Sequence, residues 1–285
     1  MYDLFVFGHR EFSLIDARRI FLSDNAFYVA GDLAASSLNP SILTDINSTS
    51  SMKDHVTLAK QWLEKLLKHY PGFSPWEQFL VEAILLNKAA LILTNLGYMG
   101  SFSASLGAMI QQRMTLVLSV VEKNQWSRIQ GMHKLRGVDG DQWKRHITGA
   151  DAAAYVLTSL ANRENARIFL PSIYEDAKDG IDLFWLEHPF RIAVSVKCVR
   201  GSEIQAWHAT QEMTETSRID MERLLKGLRH IQMFPGVDVE PVVVHVGNIN
   251  GGSVSTGNFN INWAEELLTQ IHAQRRRGLL SLVRE

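Results

Sequence analysis

Gly180-Ile181-Asp182-Leu183-Phe184-Trp185 and, after His188-Pro189, Arg191-Ile192-Ala193-Val194-Ser195-Val196-Lys197 are the two runs that decide the fold of this chain. Their β-branched and aromatic residues predict a hairpin, with strands from Ile181 to Glu187 and from Arg191 to Val199. Side chains alternate between the faces of a strand, so Ser195 and Lys197 share one face while Val194, Val196 and Cys198 take the other. A lysine in a strand otherwise built of Ile, Ala and Val is costly to bury without a partner. Asp182, on the preceding strand, is the natural partner. An acid and an amine over the same patch of sheet can serve phosphodiester hydrolysis. The carboxylate holds Mg²⁺ (or Mn²⁺), the metal lowers the pKa of a bound water, and the lysine orients that water. The plainer alternative is a structural ion pair.

Outward from the hairpin, the residues after Gly149 read as helix, three strands, helix, strand, helix. Ala150 to Arg163 is a helix and Ala166 to Leu170 a short strand. A helix spans Glu215 to Met233, with Ile219, Leu224, Leu225, Leu228 and Ile231 on its apolar side. Pro241 to Val246 is a continuous apolar run, as suits a buried central strand. Asn262 to about Arg276 closes the chain as a helix. This order predicts an α/β domain, a central mixed sheet flanked by helices.

Before Gly149 helices dominate. Val56, Ala59, Leu63, Leu66, Leu67 and Tyr70 recur on one helix face, and Pro71-Gly72 stops it. Ser74-Pro75-Trp76-Glu77 combines a capping Ser, Pro at the first helical position and Glu at the third, and starts a helix that should reach Gly97. A third helix is expected from Ser103 to about Lys123. Leu4 to Phe7 and Ala26 to Val29 read as short strands around a helix at Phe12 to Phe21, and Asp32 to Ser51 as a loop. The expected division is a mainly α-helical domain over residues 1–146, with a short N-terminal strand region, and an α/β domain over 147–285.

With 29 Lys and Arg against 30 Asp and Glu, no global charge draws the chain to nucleic acid or to a membrane surface, so a nucleic-acid partner must be held by a local patch. Arg113 to His146 is such a candidate: seven basic residues face three acidic ones, with Trp126, Trp143, His133 and His146 interleaved. Its plain reading is a solvated helix face; its functional reading is a phosphate-contacting patch. Arg128, Lys134, Arg136, Lys144 and Arg145, with Arg200 beyond the central strand, are the candidate nucleic-acid contacts. The single cysteine, Cys198, excludes an intrachain disulfide framework and reads as a small core residue. Met1 to Arg10 lacks the basic-then-apolar pattern of a secretory signal. The most apolar window, Phe79 to Leu96, carries Glu82, Asn87, Lys88 and Asn95 and reads as a buried helix. A cytoplasmic protein without membrane spans is expected.

At Gly180-Ile181-Asp182 and Ser195-Val196-Lys197 the sequence resembles the PD-(D/E)XK nuclease superfamily, the restriction-endonuclease-like fold, with a pattern similar to archaeal Holliday-junction resolvases. That family's core runs helix, three strands, helix, strand. It carries an acid early in the first helix, an Asp leading into the second strand and a Glu-x-Lys in the third. The resemblance covers Gly149 to Val246. It places Gly149-Ala150-Asp151 at the helix start, Asp182 in the Asp slot and Lys197 in the Lys slot, with the backbone carbonyl of Val196 as a further metal ligand. It implies a Mg²⁺-dependent DNA endonuclease or nickase, with catalytic residues Asp182, Lys197, Ser195 and Asp151 and metal ligands Asp182, Val196 and Asp151. A homodimer would pair two sites for a double-strand break, and a monomer would nick. The departure is Ser195, which stands where the family has its second carboxylate. Loss of that ligand weakens a hard-oxygen site. Glu203 or Glu215 swinging in would compensate, and a degenerate nuclease fold that binds nucleic acid or a protein is the alternative.

No Gly-x-Ser-x-Gly elbow, phosphate-binding Gly-x-x-x-x-Gly-Lys loop or His-Glu-x-x-His helix occurs, and the ten His residues lack metal-ligand spacing. Asp151 also reads as a first-turn acid favoured by the helix dipole, and Arg275 to Arg277 as cations ending the last helix. Gln205, Trp207 and His208 read as loop residues or as nucleic-acid contacts, and Gly247 to Gly252 as a surface turn or a backbone approach to phosphate.

Overall fold

β4, Phe190–Val199, is the spine of the protein. Ile192, Ala193, Val194 and Val196 bury side chains on both of its faces, and such a strand is stable only between other strands with both faces covered. β4 pairs antiparallel with β3 (Leu183–Glu187) and parallel with β6 (Glu240–Gly247). β3 pairs with β2 (Arg167–Leu170), and β2 with β1 (Arg10–Phe12). On the far side, β6 pairs antiparallel with β5 (Ile204–His208), and the six-stranded sheet runs β1-β2-β3-β4-β6-β5. The computed structural model describes residues 10–12, 61, 64, 68, 79–87, 90, 101–119, 129, 140–201, 203–209, 211–229, 238–247 and 262–282.

The two faces of the sheet are covered differently. On one, Leu183, Trp185, Val194, Val196, Val242 and Val244 join the main core, covered by α2 (Gly140–Ala161) and α4 (Trp263–Leu282). Residues 79–87 and α1 (Ser101–Leu118) extend that core behind α2. On the other face, Phe184, Ala193 and Val243 meet Met221 and Leu224 of α3 (Glu215–Leu228) in a smaller cluster. Each fully buried side chain of this size contributes roughly 1.5–3 kcal/mol of burial free energy. The protein is therefore α/β, a mixed sheet between helices. Among the described residues no helix is long and apolar enough to cross a membrane.

Several expectations shift. α2 begins at Gly140, ten residues before the expected start, because Trp143 and Ile147 also pack into the core. The 146/147 domain boundary therefore falls inside a helix. One core runs from Phe79 to Ile271, and β1 joins the same sheet, so no boundary separates 1–146 from 147–285 among the described residues. Ile204–His208, read as a loop, is a strand. α4 runs to Leu282, so Arg275 lies within it rather than at its end, paired with Glu240 of β6 at 2.6 Å. The strands expected at 4–7 and 26–29 and most of the first helix, 56–70, lie outside the described residues.

Candidate active site

Asp182 precedes β3, its N–H donating to the Val194 carbonyl at 2.8 Å. Phe184 faces Ala193 across β3–β4, so two-residue periodicity puts Asp182, Ser195 and Lys197 on the α3 face of the sheet. The Asp182 carboxylate accepts the Val196 N–H at 2.7 Å through Oδ2 and the Gln111 side-chain amide at 3.2 Å through Oδ1. Lys197 Nζ lies 3.7 Å from Asp182 Oδ2 and donates to Ser195 Oγ at 2.9 Å and to the Val196 carbonyl at 3.3 Å. Ser195 thus steadies the lysine. The Lys197 side chain is 32% exposed against 7% for Asp182, so the cluster opens on the amine side.

Gln111 reaches this cluster from α1 because α1 and α2 meet closely at Gly149, where a Cβ would stand 3.3 Å from Gln111 Oε1. That contact explains the glycine, and it removes the family-like reading of Gly149-Ala150-Asp151 as a helix start. Asp151 lies in the interior of α2, not in its first turn, so the dipole reading fails as well. It is buried, and its charge helps push the Cys198 thiol up to about 11, second to burial. Cys198 packs against the main core, on the opposite face of β4 from Lys197. The structure therefore joins Asp182, Ser195, Val196 and Lys197 and places Asp151 on the other side of the strand.

The acids that do approach the cluster are Asp176 and Asp220. Asp176 sits in a π-helical turn, Glu175–Asp179, ended by Gly180 at φ 70°. Arg223 of α3 donates to the Ala177 carbonyl at 2.8 Å, and a Cβ on Gly227 would fall 2.3 Å from Asp179 Cβ, so α3 clamps the turn. Burial raises the Asp176 carboxyl well above the usual carboxylate range and the Asp182 charge raises it further, while Lys197 and Arg223 pull it back. Burial also raises Asp182, against Lys197, the Val196 N–H and Arg223, with Asp220 adding to the rise. Two acids that repel in a dry place share a proton unless a cation replaces it. On β6, His245 stands in register with Lys197, 3.4 Å from Asp220 Oδ2 and edge-on to Trp207 at 4.8 Å. Burial lowers its pKa most; Asp220 raises it and Lys197 lowers it. The cluster lies toward the carboxyl ends of the parallel strands β4 and β6, where open α/β sheets place their ligands.

Glu203 and Glu215 are exposed. Among the described residues no three His, Cys, Asp or Glu side chains converge as a metal-holding group. The pair Asp176 and Asp182 with the Val196 carbonyl is a smaller set of hard oxygens. It suits Mg²⁺, which keeps several waters and commonly takes one or two carboxylates. Asp176 and Asp220 escaped sequence reading because neither is in a strand motif. The available signal was Asp-Ala-Lys-Asp-Gly ahead of Ile181, an acid-rich turn ending in glycine. Of the candidate nucleic-acid contacts, Lys144, Arg145 and Arg200 are exposed, and Arg128, Lys134 and Arg136 lie outside the described residues. Arg113 is not a surface cation: it is buried against Glu82. Of Gly247 to Gly252 only Gly247 is described. A Cβ there would fall 2.6 Å from the Gly201 carbonyl carbon, which accounts for the glycine by packing. Comparison with protein-family models, curated proteins and solved structures finds no match.

Proposed function

We propose that the Asp176–Asp182–Lys197 cluster is the centre of a metal-dependent nuclease of the restriction-endonuclease-like kind, nicking or cleaving DNA, with Asp176 in place of the carboxylate absent at Ser195. The observation that carries this reading is a lysine 3.7 Å from an aspartate whose side chain is 7% exposed, with the charge of that aspartate raising the carboxyl of Asp176 in the neighbouring turn. Asp182 and Asp176 would hold one Mg²⁺ or Mn²⁺ together with the Val196 carbonyl. Such a cation supplies an acidified water and neutralises charge on the scissile phosphate. Lys197, steadied by Ser195, orients the attacking water and holds its position against the phosphate. Gln111 and the Val196 N–H each donate to one oxygen of Asp182 and hold its carboxylate in place. Lys144, Arg145 and Arg200 supply exposed positive charge for phosphate contacts.

A second reading is a degenerate nuclease fold that binds nucleic acid without cutting it. It is favoured by the small ligand set and by the internal hydrogen bonds already made by both Asp182 oxygens. Nicking of supercoiled plasmid with Mg²⁺ or Mn²⁺ separates the two. Asp182→Asn, Lys197→Ala and Asp176→Asn should each lower the nicking rate about 100-fold or more. Nicking unchanged in the first two variants would sink the nuclease reading, and retarded DNA without any cleavage would favour the binding module.

A further inference from the structure

β5 is the last strand of the sheet and, among the described residues, pairs with β6 alone. In an antiparallel pair, successive residues turn their N–H and C=O groups alternately toward and away from the partner strand. The Glu203 carbonyl accepts the Gly247 N–H at 2.8 Å, so residues 203, 205 and 207 face β6 while 204, 206 and 208 face outward. His208 bears out this parity. Its N–H donates to Gln211 Oε1 at 2.6 Å, and its carbonyl accepts the Gln211 N–H at 3.0 Å. That turn seals one end of the edge. Ile204 and Ala206 have no corresponding cap among the described residues.

Their outward amides face a groove of about 590 Å³ that takes in residues from both faces of β5 and so follows its free edge. Trp263 and Leu267 of α4 form one wall, and Met213 lies on the segment leading into α3. Two exposed carboxylates, Glu212 and Glu266, line the groove, and no basic residue does so among the described residues. Edge strands are ordinarily protected by a lysine, a proline or a bulge. β5, Ile-Gln-Ala-Trp-His, has neither of those residues.

We propose that this edge receives an extended, basic segment of a partner protein, which adds a seventh strand beside β5. The partner's backbone pairs with Ile204 and Ala206, its apolar side chains enter the groove between β5 and α4, and its Lys or Arg side chains meet Glu212 and Glu266. Self-pairing is the weaker fit, because a two-fold contact between β5 edges brings the same carboxylates toward their own copies. A phosphate backbone is repelled by them. The proposal requires nothing of the Asp182 cluster.

The probe is a synthetic peptide of alternating Lys and Val, titrated onto the full chain by fluorescence anisotropy at low and high salt. Saturable binding should weaken about fivefold or more with Ala206→Pro, which removes an outward N–H that the β5–β6 ladder does not use. The double variant Glu212→Lys/Glu266→Lys should weaken it at least as much and flatten its salt dependence. Should Ala206→Pro disturb folding, the wild-type chain with the peptide N-methylated on its pairing edge carries the same test. The proposal is overturned if the peptide does not bind, if N-methylation leaves binding unchanged, or if an alternating Glu and Val peptide binds equally well. It is also overturned if the chain alone forms dimers that Ala206→Pro dissociates, since a second copy would then occupy the edge.

Discussion

Two charge clusters in this protein, one closed and one open, make opposite use of the same chemistry. Glu82 and Arg113 are bridged between residues 79–87 and α1, with side chains 2% and 4% exposed. Burial raises the Glu82 carboxyl, Arg113 pulls it back through charge and hydrogen bond, and the Glu64 charge adds least to the rise. The cluster below α3 is unbalanced. The Asp182 charge raises Asp176, Asp220 raises Asp182, and two cations, Lys197 at the opening and Arg223 of α3, offset the three acids. A closed, matched pair has no use for an added cation. An open cluster of three acids against two cations is where the proposed Mg²⁺ would bind, and that difference separates a structural ion pair from a candidate centre.

The contrast can be broken most forcefully at Arg113. Arg113→Leu leaves Glu82 charged and unpaired in the core and should cost about 3–5 kcal/mol in chemical denaturation. The nicking rate per folded molecule should stay unchanged. A loss below 1 kcal/mol would mean the pair is not sealed as its burial implies. At the open cluster a double variant sharpens the comparison. If Asp176 stands in for the carboxylate missing at 195, adding Ser195→Glu to Asp176→Asn should restore nicking about tenfold over the single variant. No recovery would argue against that substitution of roles.

Asp176→Asn should also stabilise the protein at neutral pH, contrary to what loss of a structural ion pair does. The sign follows from the raised carboxyl. A folded-state pKa above the unfolded value gives stability that is fully present in acid and lost as pH rises through the folded value. The wild type therefore carries a penalty at pH 7 that the amide lacks. The melting temperature of the variant should exceed that of the wild type by a few degrees at pH 7, and the gap should shrink toward pH 4. Mg²⁺ should raise the wild-type melting temperature and leave the variant nearly unmoved. A gap that widens in acid would overturn the account. The smallest effect belongs to the matched cluster on the other side of the sheet, where Glu240 accepts from Arg275 and meets His208 Nε2 at 2.7 Å. The His208 hydrogen bond, chiefly, lowers the Glu240 pKa. Its contribution is present above the unfolded carboxylate value and lost as pH falls through the lowered one. Arg275→Ala should cost about 1 kcal/mol at pH 7 and progressively less in acid, as equilibrium denaturation would show.

The contrast between β4 and β5 shows what could be read in advance. An apolar run with one polar register, Ser195 and Lys197, states by alternation alone that it is a central strand with a lysine in need of an acid. Ile204-Gln-Ala-Trp-His is too short and mixed to compete with a loop, and becomes a strand because β6 offers it a free edge. Asp151 misled for a related reason. A glycine and an acid at an apparent helix start look like a terminus until Trp143 and Ile147 extend the helix back to Gly140.

Local periodicity by itself determined the β3–β4 hairpin, the central apolar strands, the α/β class and the meeting of Asp182 with Lys197. Those features depend on neighbours a few residues apart, and side-chain alternation encodes them directly. Tertiary structure alone decided that Asp176 and Asp220 join that pair, that Asp151 does not, and that β5, among the described residues, closes the sheet with an open edge. The Asp176 turn takes its place because Gly227 and Arg223 of α3 pack against it, a contact made across more than forty residues of chain. No pattern within a single segment can specify which acid such a contact delivers to the centre.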